Sequence, residues 1–521
     1  MNLNSLDLSV LAIYAVGLMF IAWWVSREKA GHQKNAEDYF LASKSLPWWA
    51  IGASLISANI SAEQIIGMSG SGFAIGMAIA SYEWMAAITL IIVGKYFLPI
   101  FLAKGIYTMP QFLEQRYDAR VRTIMAVFWL GVYVFVNLTS VLWLGALAVR
   151  SITGMDMTWA MLALAGFAML YSLFGGMTAG ALTDIIQVVL LVLGGFLVSW
   201  LALDKIADGQ GAIQGFKVLL DHAPEKFDMI LDSSNPHYIS LPGISVLIGG
   251  LWVMNLSYWG FNQYIIQRAL AAKNLQEAQK GVAFAAYLKL LMPLIVVVPG
   301  IAAFMLIPEL EKPDQAYGEM MKLLPHGLLG IAFAALVAAI ASSLGTMANS
   351  ISTIFTMDIY KQLVNKEASG QRLVNVGRVV ALISMITAVI IARPLLGQLD
   401  QAFQYIQEFT GFFTPGIVVI FLLGFFWKRA TATSALVAAI SSAVLSVILK
   451  IWWPELPFID RVGLVFLLCA AFAVIVTLAG RGGEQPNAID LKDMSFSTST
   501  GFNFAAVGVI IILTALYLTW W

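Results

Sequence analysis

Residues 57–72 read SANISAEQIIGMSGSG, and residues 249–263 read GGLWVMNLSYWGFNQ. Both stretches lie inside long apolar segments, at positions where a membrane helix is ordinarily apolar throughout. An unpaired backbone group or amide costs several kcal/mol inside a bilayer, so such interruptions persist only where they line a cavity. Corresponding breaks in two halves of one chain indicate the substrate and ion site of a secondary transporter.

The composition places the chain in a membrane. Of its 521 residues, 60% are hydrophobic and 12% are charged, and the mean hydropathy is +0.82. This composition excludes a soluble globule and predicts an all-α membrane protein in the lipid bilayer. The net charge is zero and no basic run occurs, so we expect no nucleic-acid partner, and no segment points to an obligate protein partner. The single cysteine, Cys469, excludes an internal disulfide.

About fourteen transmembrane helices are predicted from the rule that a span needs about 20 apolar residues. Residues 1–9 carry no basic region, so we expect the first predicted span to be an uncleaved membrane helix and not a signal peptide. The predicted spans are Leu8–Val25, Leu46–Gly70, Ile75–Phe101, Ile124–Val149, Trp159–Leu173, Ala181–Leu203, Gly243–Tyr264, Val282–Ile307, Leu328–Tyr360, Val379–Ala392, Gln398–Trp427, Ser434–Ile451, Val462–Leu478 and Phe502–Trp520.

Basic residues orient these spans. The loop after the first predicted span and every second loop after it together hold 18 of the 30 lysines and arginines. The other loops hold 9, and the rest lie inside or at the ends of spans. Because lysine and arginine accumulate in cytoplasmic loops, both termini are predicted on the external side of a plasma membrane, here the bacterial inner membrane.

The domain organisation follows from the same segments. We predict an extra N-terminal helix and cytoplasmic loop at 1–45, a five-helix repeat at 46–203 and an external loop at 204–242. A second five-helix repeat follows at 243–427, and three peripheral helices at 428–521. Each repeat opens with an interrupted helix, and five is an odd number, so the second repeat is expected to be inverted relative to the first.

A cation site is predicted beside the first interruption. An unwound helix exposes carbonyls that can hold a small cation without acidic side chains, and Ser57 to Ile60 supply such carbonyls. Ala339, Ser342 and Ser343 stand at i, i+3 and i+4, so they share one helix face. Hard oxygen ligands suit a sodium ion. The alternative for these serines is that they are small residues permitting close helix packing.

Polar side chains inside the predicted spans are the candidates for solute binding. They mix amides, carboxylates and one amine, a set that suits a neutral polyhydroxylated molecule. For Glu83 the alternative is a structural ion pair, and for Lys289 it is extension of the amine to the cytoplasmic surface. These candidates are Asn59, Glu63, Gln64, Glu83, Asn255, Lys289, Gln404 and Gln407.

Other classes of function have weaker support. Tyr82, Tyr258, Trp259 and Phe403 stand beside the polar positions, and an aromatic ring suits the C–H face of a pyranose, although core packing is the alternative. No HExxH, GxSxG or phosphate-loop motif occurs, so an enzyme is disfavoured. A channel is disfavoured because the polar groups cluster at two central breaks.

Five strings resemble the sodium/solute symporter family. They are NISAEQIIGMSGSG (59–72), ASYEWMAAITLIIVGKYFLPIF (80–101), LWVMNLSYWGFNQYIIQR (251–268), ASSLGTMANSISTIFTMDIY (341–360) and QAFQYIQEFTG (401–411). The resemblance extends over nearly the whole chain and is strongest to the sugar carriers of that family. It implies fourteen helices, an inverted five-helix repeat and uptake of a hexose, galactose or a glucose-like sugar, driven by sodium through alternating access.

The resemblance also implies roles for individual residues. Gln64, Glu83, Asn255, Lys289 and Gln407 resemble the residues that hydrogen-bond the sugar, and Asn59 the residue that couples the broken helix to it. Met68, Tyr82 and Phe403 resemble the external gate, and Tyr258 the internal gate. Backbone carbonyls of Ser57, Ile60 and Ala339, with the hydroxyls of Ser342 and Ser343, resemble the sodium site, and Asp184 matches an acid near it.

Two positions depart from the family's galactose carriers. Ala86 stands where they have a sugar-contacting serine, and Ser57 replaces an alanine. Alternatives to hexose transport are a sodium-coupled carrier of another small solute, such as an inositol, an amino acid or a carboxylate, and a membrane sugar sensor that does not transport.

Overall fold

The computed structural model describes residues 3–26, 44–106, 108–397, 402–480 and 483–521, and at 22, 25, 26, 171–184 and 493 it describes the backbone alone. Every named element in these ranges is helical. The predicted cytoplasmic loop after the first helix lies mostly outside the described residues. So does the side chain of Asp184.

The helices of the N-terminal half begin with α1 and end with the helix before the second interruption. They are α1 Ser5–Ser26, α2 Trp48–Asn59, α3 Met68–Ala74, α4 Ser81–Ile92, α5 Leu98–Lys104, α6 Met109–Arg116, α7 Ala119–Val132, α8 Thr139–Thr153, α9 Met157–Ile206, α10 Ala212–His222, α11 Ser245–Ile248 and α12 Gly250–Leu256.

The helices of the C-terminal half follow that interruption. They are α13 Gln263–Leu270, α14 Leu275–Leu306, α15 Ala316–Met321, α16 Leu328–Ile354, α17 Gly370–Leu396, α18 Ala402–Gly411, α19 Thr414–Phe426, α20 Ala432–Trp452, α21 Phe458–Ala479 and α22 Thr500–Thr519.

Short π and 3₁₀ turns connect or extend several of these helices. The π segments are Glu63–Gly67, Val93–Phe97, Tyr133–Leu138, Ser257–Phe261 and Phe355–Val364, and the 3₁₀ segments are Met77–Ala80, Pro224–Lys226, Pro313–Gln315 and Leu491–Asp493.

Within the described residues, nine helices are long and apolar enough to cross a membrane, and a tenth span appears if the bent pair α18 and α19 is counted as one. The remaining predicted spans have identifiable counterparts. One is α1, one is the first part of α9, Met157–Leu170, and two are the spans that the polar stretches interrupt.

Helix α9 departs from the sequence prediction. Two spans, Trp159–Leu173 and Ala181–Leu203, were expected with a turn between them, but Met157–Ile206 is one helix of 50 residues. At 1.5 Å per residue this is about 75 Å long, more than twice a hydrocarbon core of about 30 Å. The stretch contains glycines but no proline, so every residue keeps the N–H that continues the helix. The predicted turn is absent.

The first interruption lies where the sequence predicts it. Helix α2 ends at Asn59, and Ile60 leaves helical geometry with φ −70° and ψ 83°. The amide of Ser61, which would bond the Ser57 carbonyl in a continuous helix, donates to Asn59 O at 2.8 Å instead. The chain resumes as a π turn from Glu63. The Ser57 carbonyl is therefore released from the helix ladder.

The second interruption falls at Asn262. Helix α12 continues into the π segment Ser257–Phe261, Asn262 is extended with φ −81° and ψ 124°, and α13 begins at Gln263. Tyr133 closes this break from a neighbouring helix. Its hydroxyl donates to Asn262 Oδ1 at 2.5 Å and accepts from the Gln263 amide at 2.8 Å. A tyrosine thus satisfies the backbone that the break frees.

The two interrupted helices are tied together at one end. Leu46, just before α2, forms a parallel β-bridge with Ala272, just after α13. The Leu46 amide donates to Ala271 O at 3.1 Å, and the Trp48 amide donates to Glu277 Oε2 at 2.8 Å. Nearby, an aromatic core packs the second break against α19, with Phe261 stacked on Phe421 at 4.4 Å. The backbone contacts hold the start of the first interrupted helix against the end of the second.

Candidate functional site

A cavity with about 910 Å³ of empty space, which includes space open to solvent, lies where the two interrupted helices meet α4, α7 and the bent pair α18 and α19. Its wall mixes amides, carboxylates, hydroxyls and aromatic rings. It is lined by Asn59, Glu63, Gln64, Tyr82, Glu83, Trp129, Val132, Tyr133, Asn137, Met254, Asn255, Ser257, Tyr258, Trp259, Asn262, Phe403, Ile406, Gln407, Thr410, Phe413, Thr414 and Ile417.

A buried ion pair lies at one wall, where Glu83 lines the cavity and Lys289 does not. Lys289 of α14 donates to Glu83 Oε2 at 2.5 Å and also bonds Asn59 Oδ1. Its amine lies 5.0 Å from the centroid of the Trp259 ring. Lys289 is 0% exposed, so the alternative that its amine reaches the cytoplasmic surface is wrong. The amine contacts three residues that line the cavity and neutralises the Glu83 carboxylate.

A chain of hydrogen bonds runs from the first interruption to the second. Asn59 Nδ2 donates to the Tyr258 hydroxyl at 2.9 Å, and the Tyr264 hydroxyl donates to the same oxygen at 3.0 Å. Asn59 therefore touches both Lys289 and Tyr258, and it joins the end of α2 to the π segment that follows α12.

Four of the five remaining predicted solute residues line the cavity, and their side chains differ in the hydrogen bonds that they make. Gln64 accepts from Ser61 Oγ at 3.2 Å, and Asn255 donates to Leu251 O of its own helix at 3.1 Å. Gln407 lies on the same cavity from α18. Glu63 accepts a 2.5 Å bond from the Ser140 hydroxyl of α8. Gln404 does not line the cavity.

The predicted sodium ligands lie outside the cavity wall, one turn from Asn59. The Ser343 hydroxyl of α16 lies 3.3 Å from Ser57 O and 3.4 Å from Ala58 O, the carbonyls at the end of α2. Ser57 also donates its own hydroxyl to Gln187 Oε1 of α9 at 3.3 Å. Ile60, Ala339 and Ser342 are buried on the same two helices. The structure brings carbonyl and hydroxyl oxygens together here, a donor set that suits a monovalent hard cation.

Aromatic rings contact one another at two places on the cavity wall. Tyr82 and Phe403 meet edge to face with centroids 5.4 Å apart, and the backbone of Gly67 packs against the Phe403 side chain. Tyr258 contacts Trp259 at 5.1 Å and Tyr264 at 5.9 Å. Met68, the third predicted external gate residue, is fully buried in α3 and does not line the cavity.

Several lining residues were missed by sequence reasoning. Tyr133, Asn137 and Trp129 come from the helix formed by α7, its π segment and α8, and Thr410 and Thr414 come from the bent pair. Asn137 and Tyr133 are polar residues inside an apolar span, which is a usable signal. Pro415 inside a predicted span was the signal for the bend between α18 and α19.

Comparison with known proteins places this arrangement in a family. Residues 39–441 match the model of the sodium:solute symporter family. The chain is 51% identical over its full length to the sodium/glucose cotransporter of Vibrio parahaemolyticus, covering 99% of that protein. It is 31% identical to sodium/myo-inositol cotransporter 2 of Mus musculus, with 86% of this chain and 70% of the relative covered.

A solved structure shares the fold. A substrate-bound, outward-open Na⁺-coupled sialic acid symporter superposes with a TM-score of 0.80, covering 91% of this chain and 98% of the other, at 22% identity. The match to the family model and the identity to full-length relatives agree with the multi-pass helical architecture. The chain therefore belongs to the sodium:solute symporter family.

Proposed function

We propose that this protein is a sodium-coupled symporter that accumulates a neutral hexose, galactose or a glucose-like sugar, by alternating access. The 51% identity to a protein named as a sodium/glucose cotransporter supports this solute class. The cavity chemistry also supports it. Among the described residues, the lysine whose amine contacts the wall, Lys289, is already paired with Glu83, so it is not a free cation for an anionic solute.

The observation that carries the proposal is the position of Asn59. It lies on the cavity wall and bonds both Lys289 and Tyr258, while Ser57, two residues earlier, presents the carbonyl that Ser343 contacts. A cation at these carbonyls fixes the end of α2 and hence the orientation of Asn59. Binding of the cation and binding of the sugar then favour each other, and linkage makes this coupling reciprocal.

The individual roles follow the resemblance and the cavity contacts. We assign the sugar hydrogen bonds to Gln64, Glu83, Asn255, Lys289 and Gln407, and the coupling to Asn59. The external gate is assigned to Tyr82 and Phe403, without Met68, which does not line the cavity, and the internal gate to Tyr258. Sodium, a transported species here, is assigned to Ser57, Ile60, Ala339, Ser342 and Ser343, with Asp184 near its path.

The same proposal includes the finer topology. It counts fourteen spans and requires α9 to divide into Trp159–Leu173 and Ala181–Leu203 in the membrane, because about 75 Å of helix is too long for one crossing. The inverted repeats lie at 46–203 and 243–427, the external loop at 204–242 and three peripheral helices at 428–521. The helix and loop at 1–45 precede them. Both termini are external, and the membrane is the bacterial inner membrane. The excess of basic residues in alternate loops supports this orientation.

The sodium gradient is sufficient for accumulation. One charge moving through 100 mV contributes about 2.3 kcal/mol, and a tenfold sodium gradient adds about 1.4 kcal/mol. With one sodium per sugar, the sum corresponds to a sugar gradient of several hundredfold, on the order of the ratio that 3.7 kcal/mol sustains.

A second candidate is sodium-coupled transport of an inositol. The 31% identity to a protein named as a sodium/myo-inositol cotransporter favours it over amino acids and carboxylates. An inositol offers the same ring of hydroxyls, so the cavity chemistry fits both solutes. A sugar sensor without transport is the alternative of a different class.

Uptake into proteoliposomes tests the proposal. The purified full-length chain is reconstituted and supplied with radiolabelled glucose, galactose, myo-inositol, an amino acid and sialic acid, with an inward sodium gradient or with potassium alone. We expect concentrative hexose uptake in sodium only, and its loss in Gln64→Ala. Equal uptake without sodium would disprove the coupling, while uptake of inositol alone would select the second candidate.

A further inference from the structure

The cavity is bordered by a third interrupted helix. Helix α18 ends at Gly411 and α19 begins at Thr414, and the two axes are bent by 46°. Pro415 has no N–H to donate to the carbonyl of Gly411, four positions earlier, and its ring clashes with that carbonyl in a continuous helix. The bend therefore follows from the sequence, although the span was predicted to be continuous.

A neighbouring helix already supplies hydrogen bonds to the backbone on one side of this bend. The Gly416 amide donates to Ser442 Oγ of α20 at 3.0 Å, and the same hydroxyl donates to Phe412 O at 2.9 Å. Ser442 thus holds the freed backbone on both sides of the bend. That face needs no ligand.

Two threonines at the bend line the cavity. The Thr410 hydroxyl is used within its own helix, where it bonds Ile406 O at 3.1 Å and Gln407 O at 3.0 Å. Thr414 also lines the cavity and is 9% exposed, but its hydroxyl is buried and has no hydrogen-bond partner among the residues that the structure describes.

A hydroxyl without a hydrogen-bond partner in a residue that lines a cavity indicates that a bound ligand supplies the partner. A buried hydroxyl loses the hydrogen bonds that it makes in water, and this loss is recovered when a ligand supplies a partner. Thr414 stands in the first turn of α19, where the helix dipole favours an electron-rich oxygen. Tyr82 has the other orphaned hydroxyl among the described lining residues, and it is already assigned to the external gate.

We propose that Thr414 is a specificity-determining residue, whose hydroxyl hydrogen-bonds one ring hydroxyl of the transported solute. This inference rests on the proposed function and deepens it. A hydroxyl both donates and accepts, so it pairs with a neutral alcohol without selecting for charge. Ala86, where the related galactose carriers have a serine, does not line the cavity, so Thr414 supplies a hydroxyl on a different wall.

Two variants and a panel of deoxy sugars test this assignment. Thr414→Val keeps the shape and removes the hydroxyl, while Thr414→Ser keeps the hydroxyl. Equilibrium binding of the accepted sugar and of each of its single-deoxy derivatives is measured on the purified full-length protein in sodium. We expect Thr414→Val to weaken binding of the parent sugar about tenfold, and Thr414→Ser to change it less than about twofold.

The deoxy panel distinguishes contact from general damage. One deoxy derivative, the one lacking the contacted hydroxyl, should bind wild type and Thr414→Val equally, while the others still lose affinity in the variant. An equal loss for every derivative, or no loss at all, overturns the inference. Thr477→Val is the matched control, because the Thr477 hydroxyl of α21 is also buried and orphaned among the described residues but lies off the cavity.

Failure of the proposed function gives a different result. If wild type binds no hexose and no inositol in sodium, the proposed function is wrong. If wild type binds the sugar and Thr414→Val binds it unchanged, the proposed function stands and the role of Thr414 is wrong.

Discussion

The amine of Lys289 lies 2.5 Å from Glu83 Oε2, and neither side chain is more than 4% exposed. The same amine bonds Asn59, so one cation joins α14, α4 and the end of α2 beside the cavity. A buried ammonium group is stable only when a counter-charge and hydrogen-bond acceptors surround it. The pair is thus a structural junction, and its Glu83 member lines the cavity.

Replacing Lys289 by alanine should abolish sugar accumulation and lower the melting temperature. The variant leaves Glu83 buried without a counter-charge, and breaking a buried pair costs about 3–5 kcal/mol. The double variant Glu83→Gln with Lys289→Met should recover thermal stability but not uptake. Lys322→Ala is the control, since its pair with Glu319 is partly exposed and contributes less than about 1 kcal/mol. Wild-type uptake in Lys289→Ala would refute the assignment.

Ser343→Ala should weaken the response to sodium more than the affinity for sugar. The Ser343 hydroxyl contacts the carbonyls of Ser57 and Ala58, so its loss removes an oxygen from the proposed ion site. We expect the sodium concentration for half-maximal sugar binding to rise roughly tenfold, the equivalent of one charge-assisted bond. Ser384→Ala, which removes a hydroxyl bonded only within its own helix, is the control. An unchanged sodium titration would place the ion elsewhere.

Asp314→Ala should open the external side of the cavity. Asp314 Oδ2 accepts from the Ala402 amide at 3.0 Å, at the start of the helix whose next residue, Phe403, closes on Tyr82. Loss of such a helix-start acceptor costs about 1 kcal/mol and loosens this contact.

Alkylation from outside measures this change. A single cysteine at Ile406, in a Cys469→Ser background, should react several times faster with an impermeant reagent when Asp314 is alanine, in line with about 1 kcal/mol. Asp314→Asn keeps an acceptor and should react at close to the wild-type rate. Asp232→Ala, in the 204–242 segment, is the control for loss of an acid outside the cavity. Equal rates in all variants would show that Asp314 has no part in the closure.

Tyr258→Phe should speed release of sugar. The Tyr258 hydroxyl accepts from Asn59 at 2.9 Å and from Tyr264 at 3.0 Å, so its loss removes both bonds that hold the ring across the cavity. Efflux from preloaded proteoliposomes should accelerate about threefold or more, as expected when bonds of about 1 kcal/mol each are lost. Tyr264→Phe removes only one of the two bonds and should have a smaller effect. Slower efflux in Tyr258→Phe would argue against a gate.

The sequence by itself determined the membrane-spanning character and the positions of both predicted interruptions. These depend on local properties, namely the length of an apolar run and the cost of polar groups within it. The breaks at Ile60 and Asn262 fall inside the stretches 57–72 and 249–263 for this reason.

Only the tertiary structure decided which of these polar groups meet. Lys289 reaches Glu83 across 206 positions, and Ser343 reaches Ser57 across 286, because helices distant in the sequence pack side by side. It also decided that α9 runs without a turn, that Met68 packs away from the cavity, and that Thr410 is satisfied while Thr414 is not. Burial and hydrogen bonding depend on which helices are neighbours. The sequence pattern within one segment does not specify those neighbours.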